Sequence, residues 1–324
     1  MPTILDKPPI PVFKNLSELK EQLDEQIPPK KLDKNLLVGT WNIRAFGGLT
    51  EKWISSRRDS PQRDLHSLLC IAEIISRFDV IALQEVKSDL KALRHALKYL
   101  GSHWGLVLTD VTKGAPGNGE RMAYLFDTRK VQMSGLATEL VVPEEQLSNM
   151  SADALEKQFA RTPYAVSFRC GSATFILITL HVLYGKRPYD RVGELKAIAE
   201  WMADWAKDIN AWDHNLIALG DFNIDRIDDQ LYKAFTSTGL TVPKALHQVP
   251  RSIFHRPGKG PKDKFYDQIA WFTEKGDVPA LSLKYNGGGS FDFTRTALSN
   301  RSLTRNQVSW RISDHYPLWV EFLT

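Results

Sequence analysis

Residues 216–223 read Leu216-Ile217-Ala218-Leu219-Gly220-Asp221-Phe222-Asn223. A short apolar run that ends in a carboxylate and an amide has the pattern of a buried strand carrying polar groups at its end. Ile81-Ala82-Leu83-Gln84-Glu85 has the same form. The echo fits either two similar halves of one site or the common look of buried strands.

Outward from these two runs the chain alternates. Leu36–Ile43, Asp79–Glu85, Met122–Phe126, Tyr164–Phe168, Thr174–His181, Leu216–Asp221, Asp267–Phe272 and Tyr316–Phe322 have the length and apolarity of strands. Asp64–Phe78 carries Leu65, Leu68, Leu69, Ala72 and Ile75 at helical spacing, and Leu195, Ile198, Met202, Trp205 and Ile209 mark a second long amphipathic helix. This predicts an α/β fold. Residues 1–35 read as an extension with a short helix capped by Ser17, its face made of Leu19, Leu23 and Ile27, and stopped by Pro28-Pro29. Residues 36–324 then form a single domain.

The composition bounds the class. The chain has 324 residues, 43% hydrophobic and 25% charged, with a formal net charge of +4, which describes a globular protein with a sizeable core and a mild basic excess. The two cysteines are too few for a disulfide framework and lack metal-ligand spacing. Met1–Val12 has no signal-peptide pattern and no apolar run has the length of a membrane span, so a cytoplasmic protein is expected. Three segments read as basic loops: Phe46–Arg63 with Arg57 and Arg58, Pro250–Lys264 with Arg251, and the stretch from Asn286–Gly289 on to Arg295, Arg301 and Arg305. Each alone is an ordinary solvated loop, and together they favour a phosphate-rich ligand. Pro143–Phe159 is acidic and reads as helical.

The polar residues at strand ends carry the chemistry: Asn42, Glu85, His181, Asp221 with Asn223, Asp314 with His315, and Asp267 at the start of a strand. Singly, each has a structural reading as a cap, a loop anchor or a hydrogen-bonded core histidine. As a set, acids, amides and two histidines without a Cys/His zinc pattern suit a hard cation with oxygen ligands. They also supply what phosphate-ester hydrolysis needs: a base for water, neutralisation of phosphoryl charge and help for the leaving oxygen.

The ordered series Trp41-Asn42-Ile43, Gln84-Glu85-Val86, Gly220-Asp221-Phe222-Asn223, Tyr266-Asp267-Gln268-Ile269 and Ser313-Asp314-His315-Tyr316-Pro317 resembles the endonuclease/exonuclease/phosphatase superfamily, in its deoxyribonuclease I-like branch. The resemblance spans roughly Leu36 to Leu323. It implies a four-layer α/β sandwich of two packed mixed β-sheets flanked by helices, with the site at one sheet edge. It implies Glu85, Asn42 and Asp314 as ligands of magnesium, for which manganese or calcium would substitute. It further implies His315 as general base or phosphate stabiliser oriented by Asp267, Asp221 as the group positioning water, and Asn223 as a donor to phosphate. His181 paired with Glu120, and Arg161 ahead of its strand, match the deoxyribonuclease I branch, where an arginine contacts substrate phosphate. The segment 46–63 looks like an insertion beside the site.

The function implied is metal-dependent cleavage of DNA, with Arg161, Arg57 and Arg58 on backbone phosphates and little sequence specificity. The same scaffold also serves phosphatases and phosphodiesterases of small-molecule or lipid esters. A binding module without chemistry would have lost the acids and His315, and this chain retains them.

Overall fold

The computed structural model describes residues 1–111, 119–140, 161–185, 187, 189–208, 211–255, 264–273 and 278–324. The expected acidic helix at 143–159, Ile209 and residues 256–263 of the basic loop Pro250–Lys264 lie outside the described residues.

Two six-stranded mixed sheets form the frame. The first contains β1 (Asn35–Phe46), β2 (Val80–Lys87), β3 (Trp104–Leu108), β4 (Glu120–Asp127), β11 (Lys284–Ser290) and β12 (Leu318–Leu323), in the order β11-β12-β1-β2-β4-β3. The second contains β5 (Val131–Glu139), β6 (Tyr164–Cys170), β7 (Ala173–His181), β8 (Leu216–Asp221), β9 (Leu240–Thr241) and β10 (Asp267–Phe272), in the order β5-β6-β7-β8-β10-β9. The two similar apolar runs occupy equivalent places. β2 lies between parallel β1 and antiparallel β4, and β8 lies between parallel β7 and antiparallel β10.

Alternation along the strands builds the layers, because successive side chains point to opposite faces. Leu36 and Val38 of β1 join the core that contains Ile176, Ile178 and Leu219 of the second sheet. Leu37 and Trp41 join the other core, with helices α1 (Ile10–Gln26), α2 (Leu65–Ile75) and α3 (Lys91–Leu100). On the far side α4 (Tyr189–Lys207) covers the second sheet with Leu195, Ile198 and Met202. The short helices α5 (Gln230–Phe235) and α6 (Lys244–His247) add Leu231, Phe235 and Leu246 to the same core. The result is the four-layer sandwich. Polar pins cross its middle: Gln84 Nε2 donates to Thr179 Oγ1 at 2.9 Å, and the Tyr124 hydroxyl donates to the Leu177 carbonyl at 2.9 Å. Buried donors need such partners, and here they also fix how the sheets sit on each other.

Several local readings are corrected. The Gly287-Gly288-Gly289 run is part of edge strand β11 rather than a loop; a Cβ on Gly288 would meet the Trp319 carbonyl oxygen at 2.8 Å. Ser17 lies inside α1, its hydroxyl donating to the Phe13 carbonyl, and Pro9 precedes that helix. Three of the loop arginines are internal braces. Arg63 donates to the carbonyls of Arg44, Ala45, Arg311 and Ile312, Arg251 donates to the Asp267 carbonyl, and Arg301 pairs with Asp64, the N-cap of α2. No helix among the described residues is long and apolar enough to cross a membrane.

Candidate active site

The site is assembled by register. In the second sheet His181 of β7 and Asp267 of β10 are both directly opposite Asp221 of β8, so one rung carries all three. Gly220 makes this rung reachable. Its φ is +144°, and a Cβ there would lie 2.1 Å from the Leu180 carbonyl oxygen, so only glycine fits. In the first sheet Asn42 is opposite Gln84, after which the pairing slips and Ala45 and Glu85 take left-handed backbone. Such conformations in non-glycine residues cost about 1 kcal/mol or more and gather at functional sites. The Ala45 N–H donates to Glu85 Oε2 at 2.9 Å, holding that carboxylate at the strand end.

Asn42 joins the two sheets by donating from Nδ2 to Asp221 Oδ2 at 2.9 Å. Because an ionised carboxylate only accepts, this bond sets the orientation of the amide. Asn42 Oδ1 is then buried without a partner. The Ser313-Asp314-His315 turn is stapled to β1. The Ser313 hydroxyl donates to the Asn42 carbonyl at 2.6 Å, and Trp41 Nε1 donates to the His315 carbonyl at 2.8 Å.

Two histidine–acid pairs face Asp221. His315 Nδ1 is 2.8 Å from Asp267 Oδ2, and its Nε2 is 3.9 Å from Asp221 Oδ2. Burial disfavours the imidazolium, but Asp267 first, then Asp221 and Asp314, outweigh it and raise the His315 pKa well above the ordinary value. Burial also pushes the Asp267 carboxyl up, to about 6, with His315 pulling the other way. On the other side His181 Nδ1 is 3.4 Å from Glu120 Oε2, and its Nε2 is 3.7 Å from Asp221 Oδ2. Glu120 is further paired with Arg161 at 2.7 Å and Lys87 at 2.8 Å. Burial works against its charge, but the bond to His181 and the surrounding cations hold its carboxyl near 2.

Asn223 Nδ2 donates to the Val182 carbonyl at 2.6 Å, which commits one of its two N–H bonds and leaves the other for a ligand. Asp314 is partly exposed, 3.7 Å from Arg44 Nη1. The structure thus gathers Asn42, His181, Asp221, Asn223, Asp267, Asp314 and His315, with Glu120 and Arg161 behind His181 and Glu85 at the neighbouring strand end. Arg57 and Arg58 are exposed on the segment between β1 and α2, tied to the site by no contact seen among the described residues.

The donors fit a divalent cation. Asp221, Asp267 and His315 each bring a ligand atom within 4.8 Å of the others, and the unpartnered Asn42 Oδ1 adds a buried oxygen of the kind a hard cation takes. The Asp267–His315 bond already occupies one atom of each, so a cation here would draw on the remaining oxygens.

The family model for endonuclease/exonuclease/phosphatase proteins matches residues 39–315. The chain belongs to that family. A curated relative, named deoxyribonuclease, from Thioalkalivibrio sp. (strain K90mix), is 28% identical over 196 residues, or 59% of this chain and 46% of the relative. The match therefore spans about half the length of that relative. Among solved structures, an endonuclease/exonuclease/phosphatase family protein from Bacteroides thetaiotaomicron superposes with a TM-score of 0.58 at 21% identity, covering 89% of this chain and 98% of that one. A mannosyl-6-phosphatase from the same species gives 0.57 at 19% identity, covering 89% and 100%. D. rerio TDP2 complexed with single-strand DNA product gives 0.57 at 13% identity, covering 90% and 100%. The solved structures establish the fold, and the family establishes the hydrolase class.

Sequence reading missed Lys87 and Arg44, and quoted Tyr266 in a motif without giving it a role. Lys87 stands two residues after Glu85 and directly opposite Glu120, so alternation along β2 would have found it. Tyr266 lies with its ring 5.7 Å from that of His315. Arg44 has no comparable signal; it is placed by a contact with helix α7 (Arg305–Arg311), where Ser309 accepts from its guanidinium.

Proposed function

We propose that this protein is a metal-dependent nuclease that hydrolyses DNA phosphodiesters, cutting within strands with little sequence preference. The observation that carries the reading is the placement of two histidine–acid pairs on opposite sides of Asp221, with Nε2 atoms 3.7 and 3.9 Å from one carboxylate oxygen. One imidazole can protonate the departing oxygen while the other donates to a phosphoryl oxygen, the two proton contacts that hydrolysis of a phosphodiester uses. The relative named deoxyribonuclease supports the same reading.

In this reading Glu85, Asn42 and Asp314 would hold magnesium, with Asp221 close by, and the ion would supply charge neutralisation at the phosphoryl oxygens. Asp221 orients the attacking water and takes its proton as the new P–O bond forms. His315, kept protonated by Asp267, donates from Nε2 to a non-bridging oxygen, where the remaining Asn223 N–H joins it. His181, held by Glu120, delivers a proton to the departing oxygen as the opposite P–O bond breaks. Arg161, fixed by Glu120 and the His181 carbonyl, adds positive charge beside that oxygen. Arg57 and Arg58 contact more distant phosphates. The base positions the nucleophile side and the two imidazoles cover the charge that develops.

A small-ester phosphatase on the same scaffold is the competing reading, and substrate scope separates them. The nuclease reading predicts cleavage of plasmid and oligonucleotides that weakens steeply with salt, since phosphate contacts release counterions. Hydrolysis of sugar phosphates or inositol phosphates with no action on DNA at any salt would overturn it.

A further inference from the structure

Two half-exposed aromatic side chains are linked to the His315 region by short chains of contacts, each seated on a guanidinium that the site itself holds in place. Trp310 of α7 is 49% exposed, and the Arg44 guanidinium lies 3.8 Å from its ring centroid. Arg44 is anchored by Ser309 and reaches to 3.7 Å from Asp314, the neighbour of His315. Tyr184 is 52% exposed, and the Arg191 guanidinium lies 4.8 Å from its ring centroid. Arg191 donates to the Asn223 carbonyl at 2.7 Å and to Asp225 at 3.1 Å. The Tyr184 ring meets Tyr266 edge-on at 6.2 Å, and Tyr266 in turn lies against His315.

Scattered exposed aromatics are ordinary and others stand elsewhere on this surface; these two differ in being stacked on guanidinium groups bonded to site residues. Neither ring is loose, since each has a charged plate beneath it that is bonded to site residues. A preformed ring loses little conformational freedom when a flat partner lands on it. The flat apolar partner that a phosphodiester brings on both sides of its phosphorus is a nucleobase. In a duplex those bases are stacked on one another and their faces are closed; in an unpaired strand they are open.

We infer that Trp310 and Tyr184 form a base-stacking clamp astride the scissile phosphate, which makes unpaired DNA the preferred substrate. The inference rests on the nuclease reading and deepens it. Arg44 and Arg191 act as positioning residues that hold the two rings, while the rings themselves meet the bases that flank the cut.

The test compares a single-stranded oligonucleotide, the same sequence as a blunt duplex, and bis(p-nitrophenyl) phosphate, a diester without bases. Full-length wild type is assayed alongside Trp310→Ala, Trp310→Phe and Tyr184→Ala. The clamp predicts a wild-type kcat/KM higher on the single strand than on the duplex. It predicts that each alanine variant raises KM on the single strand by roughly tenfold with a smaller change in kcat. The loss on the single strand should exceed the loss on the small diester by the same factor, and Trp310→Phe should recover most of it. DNA cleavage with unchanged KM in the variants, with equal losses on all three substrates, or with a wild-type preference for duplex, would overturn the clamp alone. A wild-type protein that hydrolyses the small diester and cuts no DNA would overturn the nuclease reading and the clamp with it.

Discussion

His315 Nδ1 lies 2.8 Å from Oδ2 of Asp267, a fully buried carboxylate whose backbone stands directly opposite Asp221. The bond fixes the tautomer and the direction in which Nε2 points, and the carboxylate supports the positive charge on the ring. Replacing His315 by Ala should lower kcat by about 10²–10⁴-fold, the usual range for a positioned proton-transfer group. Asp267→Asn keeps the shape but removes the charge, and should cost at least about tenfold while the fold stays intact. Circular dichroism together with steady-state kinetics checks both, and near-normal turnover in a folded variant would remove the pair from the chemistry.

Glu85 is held at a strand end by the Ala45 N–H, and the buried Asn42 Oδ1 is without a partner. If these oxygens hold the cation, Glu85→Gln should raise the magnesium concentration for half-maximal activity by at least about 10- to 100-fold, the range lost when even a group that only supports a ligand is removed. EDTA should abolish activity in the wild type, and manganese should restore it. A metal titration of the variant that overlays the wild-type curve would contradict the assignment.

The Glu120 cluster gives a pH dependence whose sign follows from its depressed carboxyl, near 2 against 4.5 for a free glutamate. A lowered folded-state pKa means that the unfolded chain binds the proton first. The stabilisation is therefore complete above about pH 4.5 and is lost as pH falls toward 2. Thermal melts between pH 7 and 3 should show a smaller acid-side fall in Tm for Glu120→Gln than for the wild type. Parallel curves would show that the charge of Glu120 contributes nothing.

Gly220 bears on stability as well as on the site. Alanine there would place a Cβ 2.1 Å from the Leu180 carbonyl oxygen at a φ of +144°. β8 would have to part from β7, and a loss on the order of 3 kcal/mol is expected. Chemical denaturation measures it, and a variant of wild-type stability would mean that the β7–β8 register tolerates a side chain.

The rung of His181, Asp221 and Asp267 is legible in the sequence because each member bounds a strand that is apolar on both faces, and such runs stand out from their surroundings. His181, Asp221 and Asp267 fall where those apolar runs begin or end. What stays hidden lacks that contrast. β5 buries Val131 but leaves Gln132 and Met133 exposed, so its pattern carries little apolar signal. β11 is written largely in glycine, which reads as a turn. Helix α3 does carry a signal, with Ala92, Leu93, Ala96 and Leu100 on one face between lysines and arginines, and a search for apolar strand runs passes over it. The loop arginines show the opposite error. Arg63, Arg251 and Arg301 look like surface charge in sequence but are buried among backbone carbonyls or paired with Asp64, which only tertiary packing decides. Trp310 and Arg44 meet across 266 positions, so no local pattern announces their stack.

Whether the chain is a nuclease is decided by the nicking of supercoiled plasmid by purified protein with magnesium, across a salt series and beside Glu85→Ala and His315→Ala. Relaxed and then linear DNA is expected, in a reaction that requires the metal, fades as salt rises and is absent in both folded variants. Plasmid that stays supercoiled and single-stranded oligonucleotide that stays whole with every divalent cation, or nicking that survives in both variants, would contradict the nuclease assignment and its site.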